Sequence, residues 1–177
     1  MNPLTKLQLP NISPTYRIKI EHDLNPESPR EWDNLDTMVC WHNRYNLGDE
    51  QPKEDASHYL LEMAEKFAPG IWEKFEKWEE AYAFPTSAQA WKDFDYDRNV
   101  YWNKTVQPIL DKHLIMLDLY LYDHSGITMS TTAFSDQWDS GSVGFIYVPV
   151  AKIKAEYGWK VLTKARREKI ETYLRQE

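Results

Sequence analysis

Cysteine is almost missing: Cys40 is the only one in 177 residues. A single thiol excludes an internal disulfide and any cysteine-based zinc cluster, and it fits a reducing cytoplasm. Long apolar runs are missing too. None approaches the roughly 18 residues that a membrane-spanning helix needs, so no membrane partner is expected. The opening residues, MNPLTKLQLP, lack the apolar centre of a signal peptide. Basic residues are in deficit, with 21 Lys and Arg against 28 Asp and Glu, for a net charge of −7. Such a chain has no cationic surplus for a phosphate backbone, so direct nucleic-acid binding is not expected. It suits basic surfaces of other proteins, including channels that hold nucleic acid, although mild acidity also serves plain solubility. GDE (48–50) and SGSVG (140–144) lack the glycine spacing and the lysine of a phosphate loop. There is no internal repeat, low-complexity tract or sign of a second domain.

Aromatic residues are plentiful: 8 Trp, 11 Tyr and 6 Phe. Such side chains fill cores first and dominate binding surfaces second. The length suffices for one domain with a core of its own.

The periodicities predict an α+β chain. Residues 1–15 read as an irregular arm. TYRIKIEHD (15–23) alternates Tyr16, Ile18 and Ile20 against Arg17 and Lys19, as a half-buried strand does. NPESPREWDN is a loop and TMVCWH (37–42) a short strand. A helical insertion follows over 50–112. Its first helix carries Tyr59, Leu60, Met63, Ala64 and Phe67, with Asp55 or Ser57 as cap and Pro69-Gly70 as stop. Its second carries Ile71, Phe75, Trp78 and Tyr82 and ends before Pro85. SAQAWKDF adds a turn or two, and DRNVYWNKTVQPILDKH makes a third helix that Pro108 kinks or splits. LIMLDLYLYD is nearly continuous in apolar residues, as a strand buried on both faces would be. GITMSTTAF and SVGFIYVPV complete the strands of 115–148, and helices fill 150–177, the last capped by Thr163. The expected fold is a mostly antiparallel sheet of about five strands. The insertion covers a face or an edge, and the C-terminal helix packs on the sheet. Leu119, Leu121, Ile127, Met129, Phe145 and Tyr147 are the expected buried positions.

The polar density of YDHSG (122–126) and WDSGSVG (138–144) raises the question of a site. Asp123, His124 and Asp139, with Cys40 and His42, are the candidate catalytic residues of a small hydrolase or metal-dependent enzyme. Each nucleophile pairing has a flaw. Cys40 and His42 share a strand face without meeting, and Ser125 diverges from His124. Cys40, His124 and Asp139 would need the fold to assemble them. His42, Asp123, His124 and Asp139 have the chemistry for iron, manganese or zinc but no ligand spacing, so neither metal nor cofactor is assigned. In a simple meander the two turns would lie at opposite ends of the middle strand, roughly 25 Å apart. On that geometry they are framework turns, with Asp123 and Asp139 accepting backbone N–H bonds.

The alternative surface is acidic and aromatic. Trp72, Trp78, Trp91 and Trp102, with Glu79, Glu80, Asp93, Asp95 and Asp97 from EKFEKWEE and KDFDYD, are the candidate binding residues. Charge runs of this kind are more often solvated helix faces. Aromatic surface and strand edges would also suit a homodimer.

SPREWDNLDTMVCWHNRYNLGD, LYLYDHSGITMSTTAF and WDSGSVGFIYV, linked in this order, resemble a family of uncharacterised proteins encoded by bacteriophages, prophages and other mobile elements. The resemblance spans about 28–49 and 117–170, roughly half the chain. The family usually has Gly at the position of Asp36 and Cys-Pro at Asp136-Gln137, so a cysteine there is not essential to this chain. The resemblance implies a setting rather than an activity. Small acidic proteins of mobile elements often act by binding host systems, which implies a counter-defence inhibitor, anti-CRISPR or anti-restriction. Its partner would be a host nuclease or another nucleic-acid-handling protein.

Overall fold

A computed structural model describes residues 19–25, 27–32, 34–136 and 138–177. Four strands form one antiparallel sheet among them: β1 (Thr37–Cys40), β2 (Leu114–Asp123), β3 (Ile127–Ser130) and β4 (Ser140–Pro149), in the order β1-β4-β2-β3. The α+β class is as expected; the strand number is four rather than five. The missing strand is the one expected over 15–23. Residues 15–18 of it lie outside the described residues; 19–23 carry no strand, and Ile20 is exposed.

Between β1 and β2 the chain forms α1 (Ala56–Phe67), α2 (Ile71–Ala81), α3 (Ala88–Thr105) and α4 (Gln107–His113). Local chemistry sets their limits. Asp55 caps α1 by accepting from His58 N at 2.9 Å. Glu65 of α1 accepts from Gly70 N and Trp72 N at 2.8 and 2.9 Å and so closes the start of α2. Those amide bonds hold the Glu65 carboxyl below its ordinary value. SAQAWKDF and the stretch after it, expected as separate pieces, are one helix. Ser87 caps α3, and no Gly or Pro interrupts it before Val106. Pro108 then sits in the first turn of α4, where its missing N–H costs nothing, so the chain splits there rather than kinks. After β4 come α5 (Val150–Tyr157) and α6 (Lys164–Leu174), the latter capped by Thr163.

The sheet has two differently covered faces. Met38, Cys40, Ile115, Leu119, Leu121, Ile146 and Val148 pack with Ile153 of α5 and with Ile170 and Leu174 of α6. On the other face Tyr59 of α1 meets Phe145, and Leu114 joins Leu61, Ile71, Phe75, Val106 and Leu110 in a core belonging to the helical insertion. Leu119, Leu121 and Phe145 are buried as expected, Met129 and Tyr147 half-buried. Ile127 is 44% exposed, because β3 is a four-residue edge strand with nothing packed on it at that point. Exposed Asp118 likewise shows that β2 is covered on both faces only over part of its length.

The strand order overturns the meander. Asp123 pairs with Ile127 in the β2–β3 hairpin, closed by His124, Ser125 and Gly126, and Ser125 adopts the left-handed conformation (φ 58°). The chain then crosses back so that β4 pairs with the opposite edge of β2, from Tyr122↔Ser140 to Leu114↔Pro149. Both ten-residue strands thereby pair along nearly their whole length, which β4 could not do against four-residue β3. The turns therefore meet at the same end of β2 instead of lying at opposite ends of β3.

Candidate functional site

Side chains alternate along a strand, so every second residue continues one face. On the face covered by α6, Met38 and Cys40 are followed by His42, and Leu119 and Leu121 by Asp123. The helix cover runs out where the residues become polar. The result is a cleft of about 430 Å³ lined by His42, Arg44, Leu121, Asp123, Trp138, Asp139, Ser140, Gly141, Ser142 and Val143.

Two carboxylates stand side by side in it. Asp123 N donates to Asp139 O at 2.8 Å, one step beyond the Tyr122↔Ser140 pair. Like charges at opposed positions on neighbouring strands repel. Each is met by its own partner. Asp123 Oδ2 accepts from Tyr45 OH at 3.1 Å and from Arg44 Nη1 at 3.3 Å. Asp139 Oδ2 lies 2.8 Å from His124 Nδ1. The expectation that both would accept backbone N–H bonds is thus corrected: their partners are side chains, drawn from two other loops. The backbone role falls to Asp136, whose Oδ1 accepts from Trp138 N at 2.8 Å and Asp139 N at 3.2 Å. Those bonds hold the Asp136 carboxyl below its ordinary value. This Asx turn sends Asp139 into the cleft and leaves Trp138 96% exposed at its rim.

The two imidazoles have different duties. His42 Nδ1 accepts from Arg44 N and Tyr45 N at 3.2 and 3.1 Å, and its ring stacks on Tyr45 at 4.9 Å. It pins the loop that carries Arg44, and in its neutral form the proton sits on Nε2. His124 uses Nδ1 toward Asp139, so its Nε2 is left as an acceptor. A base oriented by a carboxylate is one half of a hydrolytic set. Two of the nucleophiles near it do not complete the set. Cys40 has no accessible surface, and burial, assisted by the charge of Asp49, pushes its thiol up to about 11. Ser140 Oγ is spent on the Asp136 carbonyl. The cleft therefore unites His42, Asp123 and Asp139, with His124 beside it on Asp139, but leaves Cys40 in the core beneath. Among the described residues no three His, Cys, Asp or Glu side chains are grouped to hold a metal ion.

Arg44 and Tyr45 were not singled out from the sequence; their only signal was position, within three residues of His42. Asp136 and Trp138 stood in the polar turn that the sequence marks but carried no expected role.

The acidic and aromatic surface lies elsewhere, and the structure divides it. Trp72, Trp78 and Trp102 are half-buried. Trp78 stacks on Tyr101 at 4.8 Å and Trp102 meets Phe75 edge-on at 5.5 Å, so these rings build the helical core rather than a free surface. Glu79 is paired with Arg98 at 2.6 Å, Asp97 accepts from Tyr82 OH, and Asp93 accepts from Gln89. Trp91 is exposed, in contact with Phe84, which is 80% exposed; Glu80, Asp93, Asp95 and Asp97 are exposed along the same region. Over its 18 residues α3 buries none. No helix among the described residues is long and apolar enough to cross a membrane. Compared with known proteins, the chain matches no family model, no curated protein and no solved structure.

Proposed function

We propose that the chain works through the cleft, binding a polar ligand there and moving a proton on it with His124. The observation that carries this reading is the convergence of His124, Asp139, Asp123 and Arg44 from three separate loops, with Asp123 held on Arg44 and Asp139 on His124. A fold needing only turns would have satisfied these carboxylates locally, as it does Asp136. With Cys40 buried and Ser140 engaged on the Asp136 carbonyl, Nε2 of His124 acts on water or on a hydroxyl of the ligand, which places the chemistry among hydrolytic or proton-transfer reactions. Replacing His124 with Asn should then cut turnover of a ligand found by nuclear magnetic resonance screening by roughly 10²-fold or more, with its affinity within a few-fold of wild type. Ligands that shift only resonances remote from His42, Asp123 and Trp138 would sink the reading.

A second reading has its own support. The α3 surface, with Phe84 and Trp91 exposed among carboxylates, suits a basic protein partner. Together with the resemblance to proteins of mobile elements, it favours an inhibitor that binds a host defence nuclease or another nucleic-acid-handling protein. The double variant W91A/D95K should lose at least tenfold in affinity for such a nuclease, while H124N retains it. Equal binding by all three proteins would reject this surface.

A further inference from the structure

We infer that the cleft's ligand is a neutral polyhydroxylated ring, a saccharide unit that lays its apolar face on Trp138 and turns its hydroxyls to Asp123 and Asp139. This deepens the cleft reading and rests on it. The first reason is charge. Among the described residues the cleft's guanidinium is Arg44, already on Asp123 at 3.3 Å, and a second carboxylate stands beside that pair. A phosphate or carboxylate ligand would meet two negative groups and have to strip Asp123 of its cation. A neutral ligand leaves the compensation intact.

The second reason is hydrogen-bonding capacity. Ionised carboxylates only accept, and an Arg only donates. Asp123 and Asp139 each keep lone pairs beyond the bonds already made, and Arg44 keeps N–H groups. Ligand hydroxyls, donor and acceptor at once, satisfy both kinds of wall. A nucleobase edge offers a fixed pattern of fewer donors.

The third reason is Trp138. An indole 96% exposed at a cleft mouth presents a large apolar face to water. Its backbone is nonetheless held by the Asp136 turn, so the ring is offered on a fixed stem. The apolar C–H face of a sugar ring matches that area, while its rim carries the hydroxyls. Val143 and Leu121 at the floor give the ring a little further apolar contact.

The inference can be tested on the full chain labelled with nitrogen-15, titrated with neutral monosaccharides, oligosaccharides built from them, nucleosides and inorganic phosphate. The saccharides should shift the Trp138 indole N–H and the amides of residues 139–142. W138A should weaken binding at least tenfold, because the exposed ring can be removed without disturbing the core. Oligosaccharides binding more tightly than their units identify a polymer as the source; equal affinity identifies a single ring. Cleft shifts with nucleosides or phosphate but not with saccharides overturn the ligand class and leave the cleft reading standing. No cleft shift with any probe overturns both.

Discussion

Gly144→Ala should lower the melting temperature by on the order of 10 °C or leave no folded protein to measure. A β-carbon at position 144 would sit 1.9 Å from Val39 O and 2.9 Å from Cys40 Cα. Both are backbone of β1, so no side chain can swing aside. Gly144 also follows the irregularity at which β4 gains a residue on β2: Leu119 pairs with Gly144 but Tyr120 with Ser142, leaving Val143 between them. The bulge gives Val143 O to Trp41 N at 2.8 Å and so holds β1 close. β1 cannot drift away, since Cys40 N is tied to Glu50 O at 3.0 Å and Met38 O accepts from Asp49 N at 2.8 Å. Forcing a methyl group into that contact costs about 3 kcal/mol or more, and at this chain length each kcal/mol is worth roughly 2–4 °C. Because β1 delivers His42 and Arg44, the cleft should be lost with it. A thermal unfolding curve within about 2 °C of wild type would contradict the β1–β4 contact.

Arg30→Met should destabilise the chain by about 3–5 kcal/mol, the usual cost of removing one member of a buried charge network. The guanidinium is a hub. Nη2 binds Asp36 Oδ2 at 2.8 Å and Asp49 Oδ2 at 2.5 Å, Nε binds Asp49 Oδ1 at 3.0 Å, and Nη1 reaches Glu177 Oε2 at 3.4 Å. It therefore ties the loop before β1, the loop after it and the C-terminal end of the chain. The Asp36 side chain has no accessible surface, with Tyr173 OH at 3.4 Å as its other partner, so without Arg30 its charge is stranded. Burial works against the Arg30 cation, but Asp49 and Asp36 outweigh it and raise its pKa. Burial likewise works against the Asp49 anion, but Arg30 and the Met38 amide at 2.7 Å hold its carboxyl below the ordinary value.

The pH dependence follows from that direction. A carboxyl depressed in the folded state contributes its full stability above the unfolded value, about 4, and loses it as pH falls through the lower folded value. Wild type should lose stability below about pH 4, and the gap between wild type and Arg30→Met should narrow there. Chemical denaturation at pH 7 and pH 3 measures both. Adding Asp36→Asn to Arg30→Met should recover part of the loss at pH 7, because the stranded charge is gone. No recovery would mean that Arg30 acts by packing alone.

The first two helices of the insertion, the break at Pro108, the β-hairpin and the α+β class were legible in the sequence. Each depends on a local rule: a 3.6-residue or two-residue period, a cap three residues away, a proline without its N–H. The same rules failed where a local pattern met a nonlocal choice. SAQAWKDF became part of an 18-residue helix, and Ile127 was left exposed because alternation shows which residues share a face, not whether anything covers it. The site was legible only in part. Asp123, His124, Asp139 and His42 stood out by residue type, yet a simple meander would keep them apart, and the sequence does not say whether the strands pair that way. Tertiary structure alone decided that β4 skips β3 and pairs with β2, since the longer ladder and its apolar face outweigh the longer crossing. That one pairing sets Asp139 beside Asp123 and turns two framework loops into the walls of one cleft.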